Sequence, residues 1–204
     1  MMDQFNLEIV GVGGQGILTS AQVLGAAALE KGLDVYMSEV HGMAQRGGVV
    51  VTTVKLGEEV NSPLIGKGDA DVILGFEPVE TYRAVEQASK KTWIVTNTEP
   101  IVPFTVSVGD EEYPDIQEDI LPELEKETDR LIALDAEELA LEAGAAITQN
   151  IVLLGGLTAT GVMPLSKNEM IQAIEKNVPE KFVDINLKAF ELGYENTKET
   201  INKK

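Results

Sequence analysis

The hydrophobic pattern at the start of the chain predicts a strand, a tight turn and a helix. Residues 5–10 (FNLEIV) alternate and then become apolar, as in a strand buried in a parallel sheet. A glycine-rich turn, GVGGQG, follows at residues 11–16, and the next residues place apolar side chains at helical spacing up to a stop at Gly32. A second strand is predicted over 33–39, which gives a β-α-β unit with a right-handed crossover.

The next segments continue the alternation of strands and helices. Residues 47–57 (GGVVVTTVKLG) are rich in β-branched residues and predict a strand paired antiparallel at an edge of the sheet. Buried strands are predicted over 70–76 and 92–97, with a helix between them that Pro78 opens. The pattern therefore predicts an α/β fold with a Rossmann-like, mostly parallel sheet flanked by helices, followed by C-terminal helices.

The C-terminal part begins with an irregular acidic stretch, after which helices dominate. Asp135 is the expected N-cap of one helix, and Ser166 opens another with Glu169 three residues on, a capping box. A last amphipathic helix precedes a polar tail that we expect to be frayed from about residue 195. No repeat or linker divides the chain, so one domain over 1–204 is predicted.

The most apolar helix of the sequence is predicted at NIVLLGGLTATG, which begins at Asn150. This helix is either a central core helix or one that buries an apolar surface against a partner. Its Gly155-Gly156 pair lowers helix propensity, so it indicates the close approach of another backbone.

Composition excludes several kinds of chemistry. Cysteine is absent, which excludes disulfides, thiolate ligation of iron–sulfur clusters and cysteine nucleophiles within the chain. His41 is the only histidine, so a multi-histidine metal site is excluded and no metal site is expected.

The net charge and the hydropathy of the chain argue against two classes of binding partner, nucleic acids and membranes. The formal net charge of −18, from 16 Lys+Arg against 34 Asp+Glu, opposes binding to nucleic acid. No apolar run is long enough to cross a bilayer, and the N-terminus has no basic region before its apolar segment. We therefore expect no membrane association and a cytoplasmic location.

The glycine turn matches a dinucleotide-binding spacing. Gly11, Gly13 and Gly16 form G-x-G-x-x-G between a strand and a helix, where exposed N–H groups favour an anion. Glu39 ends the second predicted strand, where a ribose-binding carboxylate belongs. Alternatively, the glycines only shape the turn, and the spacing leaves both interpretations open.

A second loop, SEVHGMAQRGG at residues 38–48, holds the rarest side chains of the sequence. Arg46 is one of three arginines and is suited to grip a carboxylate or phosphate, and His41 is suited to exchange a proton. These two residues are the candidate catalytic residues. The alternative is that His41 and Glu39 cap a turn while Arg46 forms a salt bridge.

The two loops together closely resemble the gamma-type domain of 2-oxoacid:ferredoxin oxidoreductases. The similarity lies in GVGGQGILTSAQVLGAAA and SEVHGMAQRGGVVVTTVKLG, and SPLIGKGDADVILGFEPVETYR, NIVLLGGLTATG and NLKAFELGY extend it from about Leu7 to Tyr194. Within that family the length and these segments are most similar to the small (beta) subunit of indolepyruvate:ferredoxin oxidoreductases. The preferred 2-oxoacid stays open among indolepyruvate, pyruvate, ketoisovalerate and 2-oxoglutarate.

The resemblance implies a reaction shared between chains. An arylpyruvate, coenzyme A and oxidised ferredoxin give an aryl-acetyl-CoA, carbon dioxide and reduced ferredoxin. Thiamine diphosphate and the iron–sulfur clusters are expected on a larger partner subunit, where ferredoxin also docks, so this chain alone binds no cofactor and is inactive. The residues implicated in substrate, coenzyme A or subunit contacts are Gly11, Gly13, Gly14, Gln15, Gly16, Glu39, His41, Gln45, Arg46, Gly47 and Gly48.

Three weaker features point in different directions. The segment Gly68–Asp71 with Asn97 downstream has a faint similarity to a thiamine diphosphate motif, but it lacks the third glycine and we interpret it as chance. The glycine spacing alone favours a free-standing NAD(P)- or FAD-binding protein. The acidic composition also fits a small binding module that docks on a larger partner.

Overall fold

The computed structural model describes residues 4–42, 48–101 and 113–203 and arranges them around a six-stranded sheet in the order β2-β3-β1-β4-β5-β6. The strands are β1 (Phe5–Val12), β2 (Asp34–His41), β3 (Val49–Gly57), β4 (Val72–Gly75), β5 (Trp93–Asn97) and β6 (Arg130–Leu134).

Seven α-helices lie among the described residues: α1 (Ile17–Lys31), α2 (Pro78–Arg83), α3 (Leu121–Glu127), α4 (Ala136–Ala143), α5 (Gln149–Ala159), α6 (Lys167–Asn177) and α7 (Val183–Lys203). Short 3₁₀ turns occupy Val85–Gln87, Ala146–Thr148 and Glu180–Phe182, and a π-helical turn, Ile116–Ile120, leads into α3. Within these ranges, no helix combines the length and the apolar composition that crossing a membrane requires.

The sheet is mostly parallel, as the pattern predicts, with one antiparallel insertion. Strands β1, β4, β5 and β6 run parallel, and β3 pairs antiparallel with both β1 and β2. The predicted antiparallel pairing of β3 is confirmed, but its predicted position at the edge is wrong, because β3 lies between β1 and β2 and leaves β2 at the edge. Strand order depends on pairing between distant segments, which local periodicity does not report.

Local signals for helix ends are confirmed. Gly32 ends α1 in the left-handed conformation, and Pro78 stands in the first turn of α2. The side chain of Asp135 accepts a hydrogen bond from the backbone of Glu138 at the start of α4. Ser166 and Glu169 form both bonds of the predicted capping box at the start of α6.

The two faces of the sheet are covered differently. On the first face, α1 packs on β1, β2 and β3, while α5 packs on β4 and β5. On the second face, α2 packs on β1, β4 and β5, and α3 packs on β6, around a smaller core that includes Val10, Ile73 and Ile94. The fold is therefore a three-layer α/β arrangement in which the first face holds the larger core.

Helix α5 is the centre of that larger core, so the core alternative for this segment is the one that the fold adopts. Every residue from Asn150 to Ala159 is buried. A Cβ added to Gly155 would stand 2.1 Å from the backbone oxygen of Phe190 in α7, and one added to Gly193 of α7 would stand 2.0 Å from the backbone oxygen of Val152. The two helices therefore touch backbone to backbone, as the glycine pair predicts.

The C-terminal segment departs from the expectation of a frayed tail. Helix α7 continues to Lys203, with Thr197 buried and Ile201 packed against the main core. The polar composition that suggests fraying belongs to the exposed side of this amphipathic helix, whereas its apolar and small residues face α5.

Glu8 is a charged residue in the interior of β1. It is 6% exposed, and burial raises the pKa of its carboxyl to about 7 from an ordinary value of 4.5. The folded chain binds this proton more tightly than the unfolded chain does, so the contribution of Glu8 to stability is greatest below pH 4.5 and declines as the pH rises through 7. Above that range, a buried carboxylate opposes folding.

We predict that Gly155→Ala destabilises the fold strongly, because the new methyl group collides with the backbone of α7, which has no rotamer with which to yield. Overpacking of this kind costs about 3 kcal/mol or more. Urea unfolding followed by circular dichroism measures it. The matched control is Gly25→Ala in α1, whose added Cβ would meet Met37 at an ordinary 3.5 Å. The control should leave stability unchanged or raise it by up to about 1 kcal/mol; equal losses in the two variants would contradict the close contact.

Candidate functional site

The glycine turn joins β1 to α1, and its glycines have distinct roles. Gly14 and Gly16 adopt positive φ angles of 108° and 83°, which side chains disfavour. Gly11 lies inside β1, where an added Cβ would stand 2.5 Å from Gln15 Oε1 and 2.7 Å from the Cβ of Phe76. Gly11 therefore makes room for a side chain of the turn.

Gln15 ties two parallel strands together at their carboxyl ends. Its Oε1 accepts a hydrogen bond from the backbone N–H of Val12 at 2.7 Å, and its Nε2 donates to the backbone oxygen of Phe76 at 2.7 Å. Val12 ends β1 and Phe76 follows β4, so the bridge lies across the place where an open α/β sheet commonly binds its ligand. The Gln15 side chain of the turn is thus used in hydrogen bonds to the chain's own backbone.

Glu39 and His41 form a pair on the edge strand. Glu39 Oε1 lies 2.9 Å from His41 Nε2. Strand β3 separates β2 from β1, so Glu39 lies two strand spacings, or about 10 Å, from β1. The alternative in which Glu39 occupies the ribose-binding position of a dinucleotide fold is therefore not favoured, because that position needs the second strand beside the first.

The two predicted loops meet through their backbones. The N–H of Gly13 donates to the backbone oxygen of Gly48 at 2.8 Å, so the end of the second loop adjoins the glycine turn. Residues 45–47, which include Gln45, Arg46 and Gly47, lie outside the described residues. The structure thus joins Gly13 to Gly48 and pairs Glu39 with His41.

A cavity of about 760 Å³ opens beside the glycine turn. One wall is the turn from Gly13 to Gly16, and the opposite wall is the segment from Ala145 to Ile151 that leads into α5. Apolar residues close the remaining sides: Ile101, Val178, Phe182 and Ile185. Local sequence patterns do not predict this cavity, because its walls come from segments more than a hundred residues apart.

The described lining of the cavity carries no charged residue, yet it favours an anion. Helices α1 and α5 both begin there without a side-chain cap among the described residues, so the positive ends of two helix dipoles face the same space. The N–H of Gln149 at the start of α5 already donates to the backbone oxygen of Ala146. Asn150 in the first turn of α5 is 7% exposed, and an added Cβ on Gly16 would stand 3.1 Å from its amide. None of the hydrogen bonds among the described residues involves the Asn150 amide, which leaves it free to donate to a ligand.

Asn97 has a structural role. Its Nδ2 donates to the backbone oxygens of Phe76 and Glu99, and its Oδ1 accepts from Glu99 and from Ala136, the first residue of α4. Gly68–Asp71 precedes β4, so it lies at the amino ends of the parallel strands, whereas Asn97 lies at their carboxyl ends. The resemblance of these residues to a thiamine diphosphate motif is therefore a coincidence of sequence.

A group of buried acids lies on the second face. Glu77 accepts from the backbone of Glu80 at 2.9 Å and from the hydroxyl of Tyr113, and Arg83 pairs with Glu80 at 2.6 Å. Burial raises the pKa of both carboxyls, and the contacts with Tyr113 and Arg83 oppose that rise. These hydrogen bonds and this ion pair fix the start of α2 and connect its residues to one another and to Tyr113. No group of three metal-ligating side chains occurs within the described ranges.

The fold and this site define a Rossmann-like α/β protein in which a bridging glutamine and a cavity with an uncharged described lining adjoin the glycine turn. Residues 6–196 match the family described as pyruvate ferredoxin/flavodoxin oxidoreductase, and the chain belongs to that family.

Sequence similarity to known proteins extends over nearly the whole chain. Indolepyruvate oxidoreductase subunit IorB of Pyrococcus horikoshii is 46% identical over 98% of this chain and 100% of its own length. IorB of Thermococcus kodakarensis is 45% identical over 98% and 99%, respectively. The solved structure of pyruvate oxidoreductase subunit PORC from Thermotoga maritima is 25% identical, covers 95% of this chain and 97% of its own, and superposes with a TM-score of 0.70.

We predict that Gln15→Ala destabilises the chain by about 1–3 kcal/mol, because it leaves the backbone groups of Val12 and Phe76 without their partner. Denaturant unfolding measures the change. Gln22→Ala, at an exposed position of the adjoining helix α1, is the matched control and should be neutral. A Gln15→Ala variant as stable as the parent chain would contradict the bridging role.

Proposed function

We propose that this chain is the small subunit of an indolepyruvate:ferredoxin oxidoreductase and supports CoA-dependent oxidative decarboxylation of an arylpyruvate by a larger subunit. The observation that carries the proposal is the identity of 46% with an indolepyruvate oxidoreductase subunit, extending over the full length of that relative. Identity to 2-oxoglutarate synthase subunit KorC of Methanocaldococcus jannaschii is 30%, which favours an arylpyruvate over 2-oxoglutarate.

The composition of the chain supports a reaction whose cofactors lie on a different subunit. A chain without cysteine has no thiolates for iron–sulfur clusters, and its one histidine lies on an edge strand in a pair with Glu39. We therefore assign the clusters to the larger subunit. The family resemblance implies that thiamine diphosphate also lies there, so that this subunit performs the decarboxylation and the electron transfer.

The cavity beside the glycine turn is the part of this chain that fits coenzyme A. The start of α1 and the amide of Asn150 offer donors to a phosphate, and the dipole of α5 adds positive potential. Val178, Phe182 and Ile185 offer an apolar surface. When bound, coenzyme A supplies the thiol that accepts the acyl group. This chain would hold and orient the carrier while the larger subunit performs the chemistry.

The loop from Glu39 to Gly48 supplies the other candidate residues of the proposed site. A guanidinium binds a carboxylate or phosphate with two parallel hydrogen bonds, so Arg46 is the candidate ligand of substrate or coenzyme A. His41 is the second candidate, as a hydrogen-bonding or proton-transfer group, and Glu39 orients it at 2.9 Å.

Ferredoxin docking is assigned to the larger subunit. Ferredoxins are commonly acidic, and a chain with a net charge of −18 repels an acidic partner. A free-standing dinucleotide-binding function is not favoured, because β3 separates the Glu39 strand from β1 and Gln15 bridges the strand ends.

Reconstitution tests the proposed function. The isolated chain should show no 2-oxoacid-dependent dye reduction, whereas mixing it with the larger subunit should give CoA-dependent turnover that is fastest with indolepyruvate among a panel of 2-oxoacids. Turnover by the isolated chain, or equal turnover by the larger subunit without it, would refute the assignment.

We predict that Arg46→Ala lowers kcat/KM of the reconstituted enzyme at least tenfold while the melting temperature and the assembly are unchanged. Arg46→Lys keeps the charge but loses the planar fork, so it should also raise the apparent KM. Arg130→Ala, which removes the same charge from the far edge strand β6, is the control and should leave the kinetics unchanged. Unchanged kinetics in Arg46→Ala would remove this loop from the site, and a parallel loss of stability would make Arg46 a structural clamp.

A further inference from the structure

The second face of the sheet carries an apolar surface over β2 and β3. Strand register aligns Val40, Val51 and Val10 in one row across β2, β3 and β1. Val40 is 64% exposed, and Tyr36, two positions before Ser38 on the same side of β2, is 42% exposed. The solvent side of an antiparallel pair is normally polar, so valines and a tyrosine there indicate a surface that another molecule covers.

The row of side chains between the row of Val40 and the row of Tyr36 is polar. It consists of Ser38 on β2, Thr53 on β3 and Glu8 on β1, which are directly opposite one another in the register. Tyr36 and Lys55 lie in one neighbouring row, and Val40, Val51 and Val10 form the other. The middle row therefore forms a polar row that leads across the strands from the edge of the sheet to the buried Glu8.

The inner end of this polar row holds buried groups that can accept hydrogen bonds. Thr53 Oγ1 and Asn6 Oδ1 are buried without a hydrogen-bond partner among the described residues. Within the same ranges, none of the ion pairs includes Glu8, and burial is what raises its pKa. The charged groups of the adjoining strands on this side are Lys55 of β3 and Asp71 before β4, whose carboxylate already accepts from the backbone of Asn6 at 2.8 Å. Asn6 Oδ1 and the Glu8 carboxylate are acceptors, and the Thr53 hydroxyl can accept as well as donate, so a donor-rich group would satisfy all three.

We propose that this surface is the docking site of the larger subunit, which lays an arginine along the polar row so that its stem lies over Thr53 and its guanidinium approaches Glu8, while apolar residues cover Val40 and Tyr36. The proposal rests on the proposed function, which supplies the partner. Arginine fits better than lysine because its five N–H donors match several separate acceptors in one plane.

Charge distinguishes this occupant from a second copy of the chain. Two copies joined through this surface would bring together two chains of net charge −18 and two unpaired Glu8 carboxylates. A cationic residue on a different chain instead neutralises Glu8, and a surface of opposite charge also accelerates association. The larger subunit is thus the occupant that the electrostatics favour.

Glu8→Gln tests the charge and separates docking from folding. At pH 8 this variant should bind the larger subunit at least tenfold more weakly by biolayer interferometry, yet melt at a higher temperature than the parent chain, because the buried carboxylate opposes folding at that pH. Glu58→Gln removes an equal charge at an exposed position and should change neither quantity. Binding of Glu8→Gln equal to that of Glu58→Gln would overturn the proposal.

Val40→Asp tests the apolar part against a control of equal exposure. It should also weaken binding at least tenfold, whereas Leu29→Asp, at a position in α1 that is likewise 64% exposed, should not. Equal effects of the two variants would overturn the assignment of this face. So would concentration-dependent dimerisation of the isolated chain that Val40→Asp abolishes, since that result assigns the face to a second copy.

The parent chain separates this proposal from the proposed function. A parent chain that does not bind the larger subunit would refute the proposed function itself. A parent chain that binds while the variants bind equally well would refute only the docking surface.

Discussion

The contact between α5 and α7 is the constraint on which the rest of the structure depends. Gly155 and Gly193 let the two helices meet without any side chain between them, each against a backbone oxygen of the other helix. Gly156 lies against Leu134 of β6 and Thr197 of α7, so α5 is fixed between the sheet and the last helix. Interiors packed at this density do not yield to an added methyl group, so the position of α5 is determined closely.

That position creates the site. The first turn of α5 places Asn150 beside Gly16, and the cavity lies between the starts of α5 and α1. The described lining is uncharged, so no carboxylate among these residues opposes the positive ends of the two helix dipoles. In a chain of net charge −18, this uncharged cavity at two helix starts is the place that the proposed function assigns to a phosphate.

Antiparallel β3 shapes the other side of the molecule. By separating β2 from β1 it removes Glu39 from the position of a ribose ligand, and it exposes a two-stranded extension that the helices of the second face do not cover fully. The same insertion therefore accounts both for the departure from dinucleotide geometry and for a surface suited to a partner chain. Glu8 connects the two features, because it lies in β1 with β3 on one side and β4 on the other.

The sequence by itself determined the features that neighbouring residues encode. Hydrophobic periodicity and single residues such as Gly32, Pro78 and Asp135 locate most strands and helix ends, since capping and backbone conformation are local effects. The close approach of another backbone at Gly155-Gly156 was also predictable, because a glycine pair weakens an apolar helix unless tight packing against a neighbour offsets the loss.

Only the tertiary structure decided the strand order, the helical conformation of the last turns of α7 and the cavity. Each depends on contacts between residues far apart in the chain: β3 is inserted by pairing with both β1 and β2, Thr197 is buried against α5, and Asn150 lies beside Gly16. Composition and periodicity describe one segment at a time. Which segments meet depends on packing the whole core at once, and that packing also leaves Glu8 buried without an ion-pair partner among the described residues.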